Sequence, residues 1–346
     1  MFNFLIMSNI KYKGGKFVKI LIIGSKDRYL KYMPNIKFVQ DCEKVYIPRD
    51  YSQTEILDQA KNVNAIIIDA IAKLPEKIIV QMPNLKIIQS EGVAYNGIDC
   101  RAAKQRGIYV CNCKGANASS VAEQTILLML ALLRSMVIAD RIEREGYQIE
   151  LKEHLMLEGI TELGDCRIGL IGFGDIAKAT AKRLAPFGCK IFYYTKRPKS
   201  HYVEKEFQVS YLGRKELISS CDIVSIHCPV TPETTGMVNT EFLSHMKHSS
   251  YLINTARGEI VDNQALYNAI VSEQISGAGL DTVYPEPTTK DNVLLNLPGK
   301  YAERIIFSPH IGGITTSFFR RAHAFVWNNV AKALKGERPE FIVNGL

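Results

Sequence analysis

CRIGLIGFGDIAKATAKRL, residues 166–184, decides the fold. An apolar run from Cys166 to Ile171 leads into Gly172-Phe173-Gly174-Asp175-Ile176-Ala177, and a stretch rich in Ala and Lys follows. An apolar strand that ends on a GxGxxA turn and continues as a helix is the opening βα unit of a dinucleotide-binding sheet. Gly172 permits the tight turn and Gly174 lets the backbone approach a pyrophosphate. Ala177 still allows the helix to pack closely on the strand. The phosphates would rest on the free N–H groups that begin the helix. KIFYYT (190–195) then supplies the second strand that such a unit needs.

Outward from this unit the same alternation continues. Downstream, DIVSIHC (222–228), YLINT (251–255), ISGAGLD (275–281) and RIIFSP (304–309) read as strands separated by helical segments. Upstream, VKILIIG (18–24), AIIIDA (65–70) and LKIIQS (85–90) do the same, with a helical stretch over 52–61. The alternation predicts an α/β architecture with parallel sheets. One long helix is expected from Ser119 to about Gly146, capped at Ser119–Ser120 and apolar nearly all round its first half. Such a helix needs cover on several faces, from a second domain or a second subunit. A polar stretch (147–165) precedes the Gly-rich unit, and a last helix runs from about Thr315 to Gly336.

Composition narrows the class. The 346 residues suffice for about two domains. A hydrophobic content of 47% with 23% charged residues excludes disorder, collagen and coiled coil. The apolar run Val121 to Ala139 contains Glu123, Gln124 and Arg134, so it is not read as a membrane span. Eight cysteines without a CxxC pair are expected to be reduced thiols of a cytoplasmic protein, with no zinc site. The net charge of +8 suits an anionic small molecule, while no basic stripe or aromatic platform points to nucleic acid. Residues 1–17 hold three lysines and no acid. Codons for Lys13-Gly-Gly-Lys16 can resemble a ribosome-binding site and Val18 can be a GTG start, so 1–17 is read as a mis-called or disordered extension. Abundant Lys, Ile and Asn imply AT-rich coding and a bacterial source.

The end of the second strand bears on the coenzyme. An NAD site normally places Asp or Glu there to hold the ribose diol. Tyr194-Thr195-Lys196-Arg197 offers two cations and a hydroxyl and no acid. The expectation is NADP(H), with NAD(H) possible. Three further segments fall at strand ends, where doubly wound sheets bind ligands. They are Asn254-Thr255-Ala256-Arg257-Gly258, Leu280-Asp281 continuing to Glu286-Pro287, and Ser308-Pro309-His310-Ile311-Gly312-Gly313. Together they bring an Arg fork suited to a planar carboxylate, and a His that a Glu can stabilise as a general acid/base.

With these motifs in order, the chain resembles the D-isomer-specific 2-hydroxyacid dehydrogenases, which include glyoxylate/hydroxypyruvate reductases and phosphoglycerate dehydrogenase. The resemblance also rests on 92–99 (GVAYNGID), 115–123 (GANASSVAE) and 227–234 (HCPVTPET). It implies two Rossmann-like domains. A dinucleotide-binding domain (119–314) would be inserted in a smaller flavodoxin-like substrate domain (18–118 and 315–346). It implies that Arg257 binds the substrate carboxylate and carbonyl with backbone N–H groups of Gly92, Val93 and Ala94. His310 would donate the proton, with Glu286 pairing to stabilise its charged form. Asp281 would hold the nicotinamide carboxamide. His227, Cys228, Pro229, Thr234, Thr255, Ala256, Gly312 and Gly313 would line the dinucleotide. It also implies a homodimer formed through the helix 119–146.

Some residues depart from the pattern. Ala94 stands where a second Gly is commoner, and Glu91 is expected to point outward. Asp69 and Ile71 argue against a phosphorylated substrate such as that of phosphoglycerate dehydrogenase. The substrate expected is therefore a small unphosphorylated 2-keto acid. The alternative from another class is a nucleotide-sensing binder like the C-terminal-binding corepressors, which share this fold.

Overall fold

The computed structural model describes residues 18–346, and the reading of 1–17 as an extension concerns residues outside that range. The chain forms two compact units, one of residues 18–117 with Ile314–Leu346, the other Ala118–Gly313.

The first unit carries five parallel strands: β1 (Lys19–Ile23), β2 (Glu43–Ile47), β3 (Ala65–Ile68), β4 (Ile87–Ser90) and β5 (Tyr109–Cys111). Their order is β2-β1-β3-β4-β5, the flavodoxin-like winding. Strand β1 shows why the sequence reads as a continuous apolar run. Ile20 and Ile22 face a core with Val326 and Trp327 of the C-terminal helix, Thr316–Lys335. Leu21 and Ile23 face the opposite core, with Ile56 and Ile79. A parallel strand covered on both faces has no polar side to show. Thr315 caps the C-terminal helix through its hydroxyl, and Gly336 ends it in the left-handed region at φ 81°.

The second unit has seven parallel strands: β6 (Arg167–Ile171), β7 (Lys190–Tyr194), β8 (Val209–Tyr211), β9 (Ile223–Ile226), β10 (Tyr251–Asn254), β11 (Gly277–Leu280) and β12 (Ile305–Phe307). Their order, β12-β11-β10-β9-β6-β7-β8, places the point where winding reverses between β6 and β9. That is where a doubly wound sheet receives its ligand. Strands β2, β5 and β8 were not legible in the sequence. β5 and β8 are only three residues long, and β2 is an edge strand with no residue but Ile47 fully buried.

The single helix expected over 119–146 is a correction. It is two helices, Ala118–Leu133 and Met136–Arg144, bent by 58° where Ser135 adopts φ 47°. A third helix, Gln148–Glu158, occupies the stretch read as merely polar. The first of the three finds cover inside its own unit, where Ile126, Met129 and Leu133 pack with Ile168, Ala181 and Ile253. Leu127 of that helix stays 57% exposed, and more apolar side chains are left in water on the next two, with Val137 59% and Leu157 87% exposed. Among the described residues no single helix is long and apolar enough to cross a membrane.

Candidate active site

Gly172 turns out of β6 at φ 95°, and a Cβ there would lie 2.6 Å from the carbonyl oxygen of His227. Only glycine fits. Gly174 caps the ten-residue helix Asp175–Leu184 without a side chain, and a Cβ at this position would meet nothing within 4 Å. Open space in front of a helix N-terminus is what a pyrophosphate requires, so the residues fit a dinucleotide. Phe173 turns the other way and packs on Tyr193 and Phe207, so only its backbone is offered to a ligand. Ile176 is half-buried and Asp175 exposed, while Ala177 is fully buried against the sheet.

At the end of β7 the hydroxyl of Thr195 donates to the carbonyl of Arg197 at 2.6 Å. Lys196 lies 3.7 Å from Glu233, so the absence of an acid here in the sequence does not hold in space. The acid arrives from the loop after β9. Arg197 is exposed and makes no ion pair among the described residues.

After β9, His227 hydrogen-bonds Ser225 at 2.9 Å through Nε2, and burial pulls its pKa down to about 4. The ring is therefore neutral near pH 7. Cys228 is half-buried, and burial raises its thiol pKa. Thr234 does not face outward as a free hydroxyl. It donates to the carbonyl of Pro229 and accepts from the N–H of Thr231, both at 2.7 Å, and so folds the loop on itself. Thr255 is buried and bonded to Thr125 at 2.9 Å.

Arg257 follows β10. Asn254 accepts the N–H of Ala256 through its side-chain oxygen and donates its amide to the carbonyl of Arg257, which sets the backbone there. The guanidinium contacts only the carbonyl of Ala256, at 2.6 Å, and pairs with no carboxylate among the described residues. A half-buried guanidinium without a counter-ion is an anion site.

His310 is held from three directions. Its N–H donates to the carbonyls of Asp281 at 2.8 Å and Ser308 at 2.9 Å, with φ in the left-handed region at 54°. Its Nδ1 lies 2.5 Å from Glu286 Oε1, and Nε2 has no partner among the described residues. Holding a non-glycine residue in that region costs on the order of 1 kcal/mol or more, which the surrounding bonds must offset. Asp281 provides most of them. It is 2% exposed, and its carboxylate accepts the N–H groups of Ile311 and Gly312 and the hydroxyl of Ser308. Gln124 donates to Ser308 from the first helix of the unit. Neither Ser308 nor Gln124 was singled out in the sequence. Asp281 is thus the anchor of the histidine loop, a duty beyond the carboxamide contact that the resemblance implies.

The profile described as "D-isomer specific 2-hydroxyacid dehydrogenase, NAD binding domain" matches residues 126–312, the stretch just described. The chain belongs to this family. It is 35% identical over 315 residues to a glyoxylate reductase of Thermofilum pendens, covering 90% of this chain and 91% of that one. It is 35% identical over 282 residues to a hydroxypyruvate reductase of Thermotoga maritima, covering 81% and 88%. Among solved structures, the TT0316 protein of Thermus thermophilus superposes with a TM-score of 0.79 at 27% identity, covering 94% and 100%. This D-2-hydroxyacid dehydrogenase is accordingly an oxidoreductase that acts on the CH–OH group of small 2-hydroxy acids with a nicotinamide cofactor.

In the other unit of the dehydrogenase, the loop after β4 turns its carbonyls inward. Gly92 accepts from the N–H of Cys113 at 2.8 Å, Val93 from Asn112 at 2.7 Å, and Ala94 from the Ser90 hydroxyl at 2.7 Å. The N–H groups of Val93 and Ala94 are left without an acceptor among the described residues. Glu91 does not point outward as expected. It is 4% exposed and bonded to Arg28 and His323.

Proposed function

We propose that this dehydrogenase interconverts a small unphosphorylated 2-keto acid, of the glyoxylate or hydroxypyruvate kind, and its D-2-hydroxy acid. The observation that carries the reading is His310, fixed to Glu286 through Nδ1, in the same unit as Arg257; among the described residues Nε2 of the one has no partner and the guanidinium of the other no counter-ion. Arg257 binds the carboxylate and the carbonyl oxygen of the keto acid, and the N–H groups of Val93 and Ala94 add donors for the carboxylate. His310 gives its Nε2 proton to the carbonyl oxygen during reduction, and Glu286 balances the imidazolium charge. A nicotinamide coenzyme, when bound at the Gly172–Gly174 turn, would supply the hydride that C2 receives. Positive charge at Arg257 and His310 stabilises the negative charge that grows on that oxygen.

The coenzyme proposed is NADP(H). Arg197, exposed and without an ion pair among the described residues, suits a ribose 2′-phosphate, and Thr195 stands at the strand end where an acid would repel it; Lys196 adds its charge once it turns from Glu233, 3.7 Å away. Two further proposals concern the setting. A homodimer is supported by the exposed apolar side chains of Met136, Val137, Ile149, Met156, Leu157 and Ile160, and its proposed interface lies beyond the break at Ser135. Light scattering that finds only monomer would refute it. A cytoplasmic location is supported by eight cysteines that are all free.

The test of the main reading is oxidation of NADPH and NADH in parallel against glyoxylate, hydroxypyruvate, pyruvate, 2-ketoisocaproate and 3-phosphohydroxypyruvate. Turnover of an unphosphorylated acid with a D product is expected. Activity confined to the phosphorylated acid would overturn the substrate class, and tight coenzyme binding without any turnover would overturn the reaction.

A further inference from the structure

Four charged or titratable side chains meet beneath the C-terminal strand ends of the first unit, outside the residues given roles above. Arg28 follows β1, Asp69 follows β3, Glu91 follows β4, and His323 comes from the C-terminal helix. Arg28 donates through Nη2 to Asp69 at 2.7 Å and, through both Nη2 and Nε, to Glu91, the Nε bond measuring 3.3 Å. His323 Nε2 lies 2.8 Å from Glu91 Oε1, the oxygen that also accepts from Arg28 Nε. Glu91, Asp69 and His323 are 4%, 7% and 1% exposed. The guanidinium also lies over Tyr29 and Phe319 at 5.5 and 5.6 Å.

Both carboxylates are paired, but a buried ion network is often no more stable than apolar packing of the same volume, so the array calls for a reason beyond stability. Its placement supplies one. Asp69 accepts the N–H of Ile71 at 3.2 Å, so it shapes the loop after β3. Glu91 is joined directly to Gly92, the first residue of the loop with the two free N–H groups. A Cβ on Gly92 would lie 2.7 Å from the Cβ of Ala70, so the two loops touch at this point. One guanidinium therefore clamps both.

We propose that Arg28 is a positioning residue that locks the loop after β3 to the loop after β4 and so aims the Val93 and Ala94 N–H groups at the substrate carboxylate. The inference rests on the proposed role of that loop. Burial works against the charge on Arg28, but Glu91 and Asp69 outweigh it and hold the guanidinium above its usual pKa. A lysine keeps the charge and cannot span two carboxylates with a planar fork.

The experiment compares wild type with Arg28→Lys and Arg28→Met. It reads kcat and KM for the keto acid, coenzyme affinity, and hydrogen exchange at the Ile71 and Cys113 amides. Binding groups used equally in ground and transition state affect KM alone. KM is therefore expected to rise five- to tenfold in Arg28→Lys and further in Arg28→Met. The kcat and coenzyme affinity should stay within twofold, and exchange at both amides should speed at least fivefold. A purely structural arginine would lower thermal stability and leave KM and local exchange in Arg28→Lys as in wild type, and that result overturns the proposal. If wild type turns over no keto acid, the functional reading fails instead. The clamp is then judged by exchange in Arg28→Lys: acceleration sustains it and wild-type rates overturn it.

Discussion

Glu286 Oε1 lies 2.5 Å from Nδ1 of His310, and this contact decides which nitrogen of the imidazole is left for chemistry. With Nδ1 committed, Nε2 is the proton-carrying atom. Glu286→Gln keeps the shape of the contact and removes the charge that balances an imidazolium. The expected result is a fall in kcat of tenfold or more, with coenzyme affinity unchanged, measured by steady-state kinetics and by coenzyme fluorescence titration. An unchanged kcat would leave Glu286 as a loop acid only.

Among the described residues Arg257 has no counter-ion to release, so its whole charge is available to substrate. Arg257→Ala should cost about 3 kcal/mol in kcat/KM, the scale of one lost charged donor in a transition state. Arg257→Lys should recover only part of this, because an ammonium cannot meet carboxylate and carbonyl oxygen together in a fork. Full recovery with lysine would mean that charge alone matters.

His227 predicts a pH dependence of stability. Its pKa is about 4 in the folded chain, against about 6.5 for a free imidazole. Between these values the unfolded chain binds the extra proton, so stability falls as pH drops from about 6.5 to about 4 and is unaffected above. The ring is half-buried, and after allowance for solvent the loss is on the order of 2 kcal/mol. Urea titrations of wild type and His227→Asn across this window should show a smaller slope in the variant. Equal slopes would contradict the assignment.

Thr195 and its two neighbours predict the coenzyme ratio. Thr195→Asp should shift the ratio of kcat/KM for NADPH over NADH at least fivefold toward NADH, since the new acid repels a 2′-phosphate and can hold a ribose diol. A ratio that does not move would place the ribose elsewhere.

The readable part of this protein was the part governed by local rules. Ile20 to Ile23, Ile66 to Ile68 and Ile168 to Ile171 are strands covered on both faces, and continuous apolar sequence announces them. Gly172 was legible because its backbone conformation and its close approach to His227 admit nothing else, and Gly174 because a pyrophosphate needs the space that a side chain would fill. The break at Ser135 was not, because Arg134-Ser135 carries no glycine or proline to mark it. Glu233 beside Lys196 and Arg28 beside Glu91 are unions of residues far apart in sequence, which no spacing rule reveals. His323 did leave one trace. It lies on the stripe of Phe319, Val326 and Trp327 in the C-terminal helix, an apolar face on which an imidazole is expected only with a buried partner.

The most direct measurement of the central claim compares His310→Gln with wild type in two assays on the same preparation, keto-acid reduction and coenzyme binding. The account predicts turnover lower by about two to four orders of magnitude with coenzyme affinity within twofold, as for loss of a general acid that does not hold the coenzyme. Turnover within threefold of wild type, or a parallel loss of both, would contradict it.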